Sequence, residues 1–486
     1  MGEMTNNRHR SSSRIRLAAD QNAAIMRGLR SIPLLFRRAV ALAAVAGCSV
    51  ASSGQAAARQ STAENWSRCE GTSPDLSISS CTALIQSGED DPENLAVAYN
   101  SRGIAYENKG DHLHAIADFD QAIKLKPDYA GAFNNRANAH SSEGEFEQAI
   151  ADYNHAIRLK PDDADALNNR GNAYRARGQF DLAIADFDRA IELKPDHAGA
   201  FNDRGGAYAD RGQYDLALAD FGRAIQLKPD YAEAFSNRGN AYSDAGRYDL
   251  ALGDYSDAIH LSPSDAGTYY NRGVAFLFTG QPDRAIADFG EAIRIKPDLA
   301  EAYNDRGVAW HGEGQDARAV VDFDQAIRIR PEFTQAFDGR GNAYRDKGEY
   351  DKAIADYNQA VRLKPDDADA LDGRCLTRAI VGQLEQALAD CNRALSLSAN
   401  DATALGSRGL VYLKMKDMKA AIADFESTLA VNPRRASALY GRGLARQSTG
   451  DAAGAATDFA VAQKVQPDIA TQFAKWGISF GVADRR

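Results

Sequence analysis

Arginine and aspartate recur at two fixed places along the chain, and they are the residues with the clearest chemistry. The first place recurs every 34 residues and holds Arg102, Arg136, Arg170, Arg204, Arg238, Arg272, Arg306, Arg340, Arg374, Arg408 and Arg442. The second holds Asp118, Asp152, Asp186, Asp220, Asp254, Asp288, Asp322, Asp356, Asp390, Asp424 and Asp458. An unmatched row of arginines would bind an anionic ligand, whereas a matched row would form structural ion pairs. Because every arginine has a matching aspartate, the sequence favours structural pairs, the first being Arg102–Asp118, Arg136–Asp152 and Arg170–Asp186.

Asparagines form a second recurrent group. They stand at Asn100, Asn134, Asn168 and Asn202, and again at Asn138, Asn172 and Asn240. An amide side chain both donates and accepts hydrogen bonds, so a row of amides can hold the backbone of an extended peptide whatever its sequence. These asparagines are therefore candidate peptide-binding residues. The alternative is that they only keep a helix surface hydrated.

From Tyr270 onward the same surface becomes apolar. It carries Tyr270, Val274, Leu277, Phe278, Val308, His311, Leu376, Ile380, Leu410, Leu413 and Leu444. Aromatic and aliphatic side chains of this kind are frequent anchors of protein interfaces. Leu277 and Phe278 are the stronger binding candidates, and His311 is counted with them. For Leu376, Leu410 and Leu444 the sequence favours packing between neighbouring units.

The chain gives no sign of catalysis or of a cofactor. Its eight histidines are scattered and lack the grouping of a metal site, and no nucleophile, base and acid stand out from the repeated text. The formal net charge of -10 and the isoelectric point near 5.4 argue against nucleic acid, which requires a basic stripe. We therefore predict a protein that is not an enzyme and that has no metal, no cofactor and no nucleic-acid partner.

The element that must position these residues is a helix hairpin. A proline recurs at the same 34-residue interval, for example at Pro127, Pro161 and Pro195. Between these prolines, two runs with helical spacing of apolar residues are separated by a glycine such as Gly110. Folding the hairpin at Gly110 sets Arg102 opposite Asp118. A fixed period of this length predicts an array of stacked hairpins.

The repeated text resembles the tetratricopeptide repeat family, whose unit carries a large apolar residue, Gly, Tyr, Ala, Phe, Ala and Pro at fixed places. The fourth repeat shows this pattern as Phe201, Gly205, Tyr208, Ala217, Phe221, Ala224 and Pro229. The later repeats depart from the pattern at Cys375, Cys391, Thr428 and Arg446. The resemblance implies an all-α fold, a right-handed α-solenoid or superhelix of about 11 hairpins. It also implies that the first helices line a concave binding groove.

Four cysteines are placed to form two disulfides. Cys375 and Cys391 flank the turn of the ninth repeat at equal distance, so the hairpin would bring them face to face. Cys69 and Cys81 flank a short segment ahead of the first repeat and would bridge a cap. The alternative for Cys375 and Cys391 is a pair of buried free thiols. Disulfides persist in the bacterial periplasm and not in the cytosol, so the bridges would indicate export.

The N-terminal residues read as a secretory leader. Four arginines precede a short apolar run, 39–52, which is too short to span a membrane. Two cleavage patterns compete: a lipobox that ends at Cys48, which would tether the protein to a membrane, and an ordinary site at 56–58. The start is either Met1 or Met26. The predicted division is a leader (1–58), a disulfide-bridged cap (59–95), eleven repeats (96–469) and a C-terminal helix with a tail (470–486).

The predicted function is a scaffold that binds an extended peptide or a protein along the concave groove, in the periplasm or at the outer membrane. One alternative is a glycan or cell-wall binding factor that uses the amides together with Tyr270, Trp310 and Tyr440. A second is a cytoplasmic adaptor with free thiols. Self-association is left open, because exposed ends of repeat arrays can associate. Residues 470–480 predict a final helix, in which Phe473, Trp476 and Phe480 recur at helical spacing.

Overall fold

Pairs of antiparallel helices follow one another along the chain. The computed structural model describes residues 62–88 and 90–478, and within these ranges it contains helices and no strands. Each of the eleven repeats is one helix pair, a first and a second helix. The pairs are Pro92–Glu107 with His112–Leu125, Ala130–Ser142 with Phe146–Leu159, Ala164–Ala176 with Phe180–Leu193, Ala198–Asp210 with Tyr214–Leu227, Ala232–Asp244 with Tyr248–Leu261, Ala266–Phe278 with Pro282–Ile295, Ala300–Gly312 with Asp316–Ile329, Thr334–Asp346 with Tyr350–Leu363, Ala368–Ile380 with Leu384–Leu397, Ala402–Lys414 with Met418–Val431, and Ala436–Ser448 with Ala452–Val465. Residues 62–69 and Pro74–Ser87 are helical ahead of repeat 1, and Ile469–Lys475 follows repeat 11.

Two positions that hold glycine in most repeats shape the hairpins. The turn glycine adopts the left-handed backbone conformation, as Gly144 does at φ 77°, and this conformation is easiest for a residue without a Cβ. The second glycine lies where the two helices cross. A Cβ added to Gly103 would lie 2.6 Å from Cε1 of the Phe119 ring. The two helices therefore approach closely because one side contributes no side chain.

The core is built from alanine and one aromatic residue per repeat. In repeat 1, Ala115, Phe119 and Ala122 on the second helix are completely buried. Small residues at this spacing let neighbouring helices come close together, and the aromatic ring fills the space that remains. The same three positions are buried in repeats 2 to 10, with Cys391 replacing the ring in repeat 9 and Thr428 replacing the second alanine in repeat 10. In repeat 11 the ring, Phe459, is half-buried.

The chain divides into two compact units, one ending at Leu193 and the other beginning at Lys194. The described part of the first contains the N-terminal cap and repeats 1 to 3, and that of the second contains repeats 4 to 11 and the C-terminal helix. Within each unit every helix packs on its neighbours in chain order. Each unit is thus an α-solenoid, as the sequence predicted for the fold class.

The C-terminal helix is shorter than predicted. It spans Ile469–Lys475, and the chain then turns at Gly477, whose φ of 70° is left-handed and ends the helix. Phe480, the leader and Cys48 lie outside the described residues. Among the helices that are described, none is both long and apolar enough to cross a membrane.

Candidate functional site

The recurrent arginine and aspartate meet inside every hairpin. In repeat 1, Nε and Nη2 of Arg102 donate hydrogen bonds to Oδ2 and Oδ1 of Asp118, both at 2.7 Å. The hydrogen bond to Asp118 raises the pKa of Arg102. The same bidentate ion pair is formed by Arg136–Asp152, Arg170–Asp186, Arg204–Asp220, Arg238–Asp254, Arg272–Asp288, Arg306–Asp322, Arg340–Asp356, Arg374–Asp390, Arg408–Asp424 and Arg442–Asp458. All eleven aspartates are buried, so these cations are committed to partners within the chain.

The third nitrogen of several of these arginines reaches the preceding repeat. Nη1 of Arg170 donates to Oδ1 of Asn154 at 2.6 Å, and Nη1 of Arg408 donates to Oδ1 of Asn392 at 3.0 Å. Both acceptors lie on the second helix of the repeat before. One guanidinium therefore fixes its own hairpin and also links it to the preceding repeat, a contact that the spacing of arginine and aspartate does not predict.

The asparagines of repeats 1 to 3 lie between neighbouring first helices. Asn100 is buried and its Oδ1 accepts from Nδ2 of Asn135 at 3.0 Å. Oδ1 of Asn138 accepts from the hydroxyl of Tyr153 at 2.6 Å and from Nδ2 of Asn169 at 3.3 Å. Asn134 and Asn172 are half-buried, and Asn168 is buried. Much of the predicted amide row is thus used to hold repeats together.

The asparagines of repeats 4 and 5 are used in the same way. Oδ1 of Asn202 accepts from Nδ2 of Asn237 at 3.1 Å, and only 2% of Asn202 is exposed. Oδ1 of Asn240 accepts from the hydroxyl of Tyr255 at 2.9 Å and from Nδ2 of Asn271 at 2.9 Å. The Oδ1 atoms of Asn202 and Asn240, which could accept hydrogen bonds from a peptide, already have donors from the chain.

An exposed apolar surface lies on the first helices of repeats 6 and 7. We call Val274, Leu277, Phe278 and Val308 the repeat 6–7 patch. Phe278 is 65% exposed and Val308 is 47% exposed, whereas Val274 and Leu277 are half-buried. The Phe278 ring stacks on Tyr248, with centroids 4.8 Å apart, and this contact fixes its orientation. Exposed apolar side chains grouped in this way are typical of an interaction surface.

Tyr270 and His311, also predicted as groove residues, both have partners in the chain. The hydroxyl of Tyr270 donates to Oδ2 of Asp305 at 2.7 Å, which links repeats 6 and 7, and burial raises the pKa of Asp305. Nδ1 of His311 lies 2.6 Å from Oδ1 of Asp316. The structure therefore places both residues beside the patch, in contacts within and between repeats.

The first helices of repeats 9 to 11 are covered by a later segment of the same chain. We call residues 469–478 the terminal segment. Its Ile469, Phe473 and Ile478 are buried in one apolar cluster with Leu410, Leu413 and Leu444, against which Leu376 also packs. Nζ of Lys414 donates to the backbone oxygen of Trp476 at 2.9 Å. Leu376, Leu410 and Leu444 pack as the sequence favoured, but the residues that cover them belong to the terminal segment.

A cavity of about 250 Å³ opens beside the terminal segment. It is lined by Arg345, Asp346, Leu376, Gly406, Ser407, Leu410, Phe425, Arg435, Ser437, Gln466, Gln472, Phe473 and Trp476. Its wall combines two arginines, hydroxyl and amide groups, and aromatic rings. Nothing in the sequence indicates this cavity, because its shape depends on where the terminal segment packs.

Two aspartates in repeats 8 and 9 were not predicted as site residues: Asp372 is buried, and Asp338 is half-buried. Asp338 and Asp372 stand at the repeat position that Asn100 occupies in repeat 1. Burial raises the pKa of Asp338 to about 7 and that of Asp372 to about 6. Arg345 lies near both and attracts their charges. The replacement of asparagine by aspartate at this position was visible in the sequence, but the burial of the carboxyl groups was not.

The four described cysteines form two disulfides. Cys69 is joined to Cys81 in the N-terminal cap, with Cα atoms 4.8 Å apart. Cys375 is joined to Cys391 across the hairpin of repeat 9, with Cα atoms 5.5 Å apart. Both Cys375 and Cys391 are completely buried. In repeat 9 a covalent bond thus stands where the other repeats pack a ring against a small residue. No group of three potential metal ligands occurs among the described residues.

Comparison with family models gives matches along most of the repeat region. A model described as tetratricopeptide repeat matches residues 96–129 and 164–197. A second, described as TPR repeat, matches residues 137–174, 205–246, 239–280 and 341–373. A third, also described as tetratricopeptide repeat, matches residues 270–332 and 407–468. No curated protein matches the chain at a significant level.

Solved structures with similar folds include three helical-repeat proteins. The Cut9-Hcn1 hetero-tetramer of the APC/C is 13% identical over 84% of this chain and 94% of that one, with a TM-score of 0.47. YrrB, described as a TPR protein with an unusual peptide-binding site, is 29% identical over 38% and 95%, with a TM-score of 0.31. MamA is 24% identical over 35% and 93%, with a TM-score of 0.33. These likenesses are too low to bear on function.

Proposed function

The chain belongs to the tetratricopeptide repeat family, and from this premise we propose that it is a non-catalytic scaffold that binds a protein partner. The binding surface is the repeat 6–7 patch. Tetratricopeptide arrays present side chains from successive first helices on one continuous surface, and a partner can therefore contact several repeats together. The affinity comes from a few apolar anchors, with Phe278 and Leu277 at the centre.

The observation that carries this proposal is the exposure of Phe278. Phe278 exposes 65% of its surface to water. Burying that apolar surface against a partner would contribute roughly 25 cal/mol per Å² to the free energy of binding. Many of the other candidate residues on the first helices have partners in the chain. The asparagines of repeats 4 and 5 bond to neighbouring repeats, and the leucines of repeats 9 to 11 lie under the terminal segment. The repeat 6–7 patch has no such cover in the described chain.

We further propose that the protein acts in the bacterial envelope. Two observations support this location: the leader pattern at the N-terminus, and the two cysteine pairs joined as disulfides. Disulfides of this kind persist in an oxidising compartment. Thiol titration of protein taken directly from cells tests it. We expect these four cysteines to react only after reduction and unfolding, whereas reaction of all four in the unfolded, unreduced protein would contradict the proposal.

Affinity capture with two matched variants tests the binding proposal. Phe278→Asp places a charge in the repeat 6–7 patch, and Val321→Asp places one on a 58%-exposed valine of a second helix, away from the patch. Thermal melting first establishes that both variants fold. We expect a partner cross-linked in envelope extracts to be retained by the natural protein and by Val321→Asp and lost from Phe278→Asp. Equal recovery with Phe278→Asp would refute the proposed surface.

A further inference from the structure

The terminal segment shows what kind of ligand fits an apolar first-helix face of this chain. Its helix, Ile469–Lys475, places Ile469 and Phe473 one turn apart, and both side chains are completely buried. Phe473 contacts the Tyr440 ring edge-on, with centroids 4.8 Å apart. The segment is a short amphipathic helix, because Thr471, Ala474 and Lys475 on its other side are exposed.

The repeat 6–7 patch stands at the same repeat positions as the surface under the terminal segment. Val274 and Val308 occupy the place that holds Leu376, Leu410 and Leu444 in repeats 9 to 11. Leu277 occupies the place of Leu413. The chain therefore carries this apolar surface twice, once buried beneath its own helix and once exposed.

Hydrogen bonding separates a helical ligand from an extended one. An extended peptide has backbone groups that need partners on the scaffold, whereas a helix satisfies its own. The repeat position that holds Asn240 in repeat 5 holds valine in repeats 6 and 7, and the hydroxyl of Tyr270 is hydrogen-bonded to Asp305. The repeat 6–7 patch thus offers apolar area and few free hydrogen-bonding groups. These properties fit a helix better than an extended chain.

Acidic residues lie on both sides of the patch. The repeat position that holds Phe278 in repeat 6 holds Asp244 in repeat 5 and Asp346 in repeat 8. Both aspartates are exposed. Asp346 is partly compensated by Arg345 and lies 3.8 Å from Nε2 of His311. Charge complementarity therefore favours a ligand with lysine or arginine at its flanks.

We propose that the repeat 6–7 patch binds a short amphipathic helix of a protein partner. The helix presents two large apolar side chains one turn apart and carries basic residues at its flanks. This inference rests on the proposed function and specifies the ligand of the same surface. It replaces the extended peptide that the amide row predicted.

Binding of defined peptides to the full-length protein tests the inference. The probe is a fluorescent peptide with the sequence of residues 468–478, extended by two lysines at its N-terminus and held helical by a staple between the exposed positions 471 and 475. The control peptide carries Ala474→Pro, which breaks the helix and leaves the apolar side chains unchanged. Fluorescence anisotropy measures the affinity of both peptides for the natural protein, for Phe278→Asp and for Val321→Asp. The tethered terminal segment already occupies its own site, so added peptide reports on the exposed patch.

We expect the helical probe to bind the natural protein and Val321→Asp equally, and Phe278→Asp to weaken binding by roughly 10-fold or more. The proline peptide should bind roughly 10-fold more weakly than the helical one. If both peptides bind equally but Phe278→Asp still weakens the binding of each, the proposed binding surface is supported and the helical preference is overturned. If Phe278→Asp has no effect, or no binding occurs at about 1 mM probe, the inference is overturned.

Discussion

Arg238 and Asp254 illustrate how one repeated pair can stabilise a hairpin without serving a ligand. Nε and Nη2 of the arginine donate to both oxygens of a carboxylate that is only 6% exposed. The geometry allows a single relative placement of the two helices, so the pair fixes their register. A buried pair adds less to stability than its geometry suggests, because both charges leave water. Removing one member is costly, since the other charge stays in place.

Asp254→Ala should lower the free energy of unfolding by roughly 3 kcal/mol, because Arg238 is left without its counterion in a partly buried site. Urea unfolding followed by circular dichroism measures the change. The matched control is Glu291→Ala, which breaks the exposed pair with Arg294 and should cost about 1 kcal/mol or less. Equal losses in the two variants would contradict a structural role for the repeated pair.

Asp338→Asn should stabilise the protein at neutral pH. Burial raises the pKa of Asp338 to about 7 in the folded state, whereas an unfolded aspartate titrates near about 4. Between these values the folded state holds the proton more tightly, so this group contributes stability at low pH that is lost as the pH rises to about 7. Asparagine has no such titration, and it already stands at this position in repeats 1 to 4 and 7.

Unfolding of natural protein and of Asp338→Asn, measured from pH 4 to pH 8, gives the comparison. The stability difference should be small near pH 4, grow in favour of the variant as the pH rises to about 7, and stay constant at higher pH. The exposed Asp298→Asn serves as the control and should show no such trend. A difference that does not change with pH would show that Asp338 is not kept protonated by the fold.

At the scale of the helices, the turn position decides how sharply each hairpin folds. Nearly every repeat has a left-handed glycine there, and repeat 10 has Lys416 at φ 63° instead. A side chain in this conformation brings Cβ close to the following carbonyl oxygen and costs about 1 kcal/mol. The other repeats avoid that cost.

Lys416→Gly should therefore raise the free energy of unfolding by about 1 kcal/mol, and Gly246→Lys should lower it by a similar amount. Gly246 is a clean site for the reverse change, because a Cβ there would meet no atom within 4 Å and only the backbone conformation opposes it. Denaturant unfolding of both variants checks the two signs. If both substitutions changed the free energy of unfolding in the same direction, backbone strain would be excluded as the cause.

At the scale of the molecule, each repeat packs on its neighbours within its own compact unit, so the stability of a repeat depends on the interfaces with the adjacent repeats. Repeat 11 would have one bare apolar side without the terminal segment. Ile469 and Phe473 fill that side, and Lys414 fixes the segment by a hydrogen bond to the Trp476 carbonyl. The segment therefore acts as a cap for the C-terminal repeats.

Phe473→Asp should loosen repeats 10 and 11 and leave repeats 4 to 6 unchanged, because coupling in a repeat array falls off with distance. Hydrogen exchange measured by mass spectrometry should show faster exchange in the helices Ala402–Lys414 and Ala436–Ser448. Thr471→Asp, at an exposed position of the same helix, is the control and should change nothing. Loss of protection across repeats 4 to 6 would contradict a local capping role.

The sequence by itself determined the fold class and the repeat period. Local signals were sufficient: a turn glycine, a proline after the second helix, and Arg102 placed as far before Gly110 as Asp118 is after it. A hairpin of known length fixes which residues face one another, and so the cysteine pair in repeat 9 and the ion pairs follow from spacing alone. The role of each amide did not follow, because a row of asparagines looks the same whether it faces water or a neighbouring repeat.

Only the tertiary structure decided which surfaces are free. Asn202 and Asn240 were predicted to hold a peptide, yet their oxygens accept hydrogen bonds from Asn237, Tyr255 and Asn271. The leucines of repeats 9 to 11 and the valines of repeats 6 and 7 have the same spacing, and they differ only because residues 469–478 fold back onto the former. Burial depends on contacts between residues far apart in the sequence, and helical periodicity carries no information about those contacts.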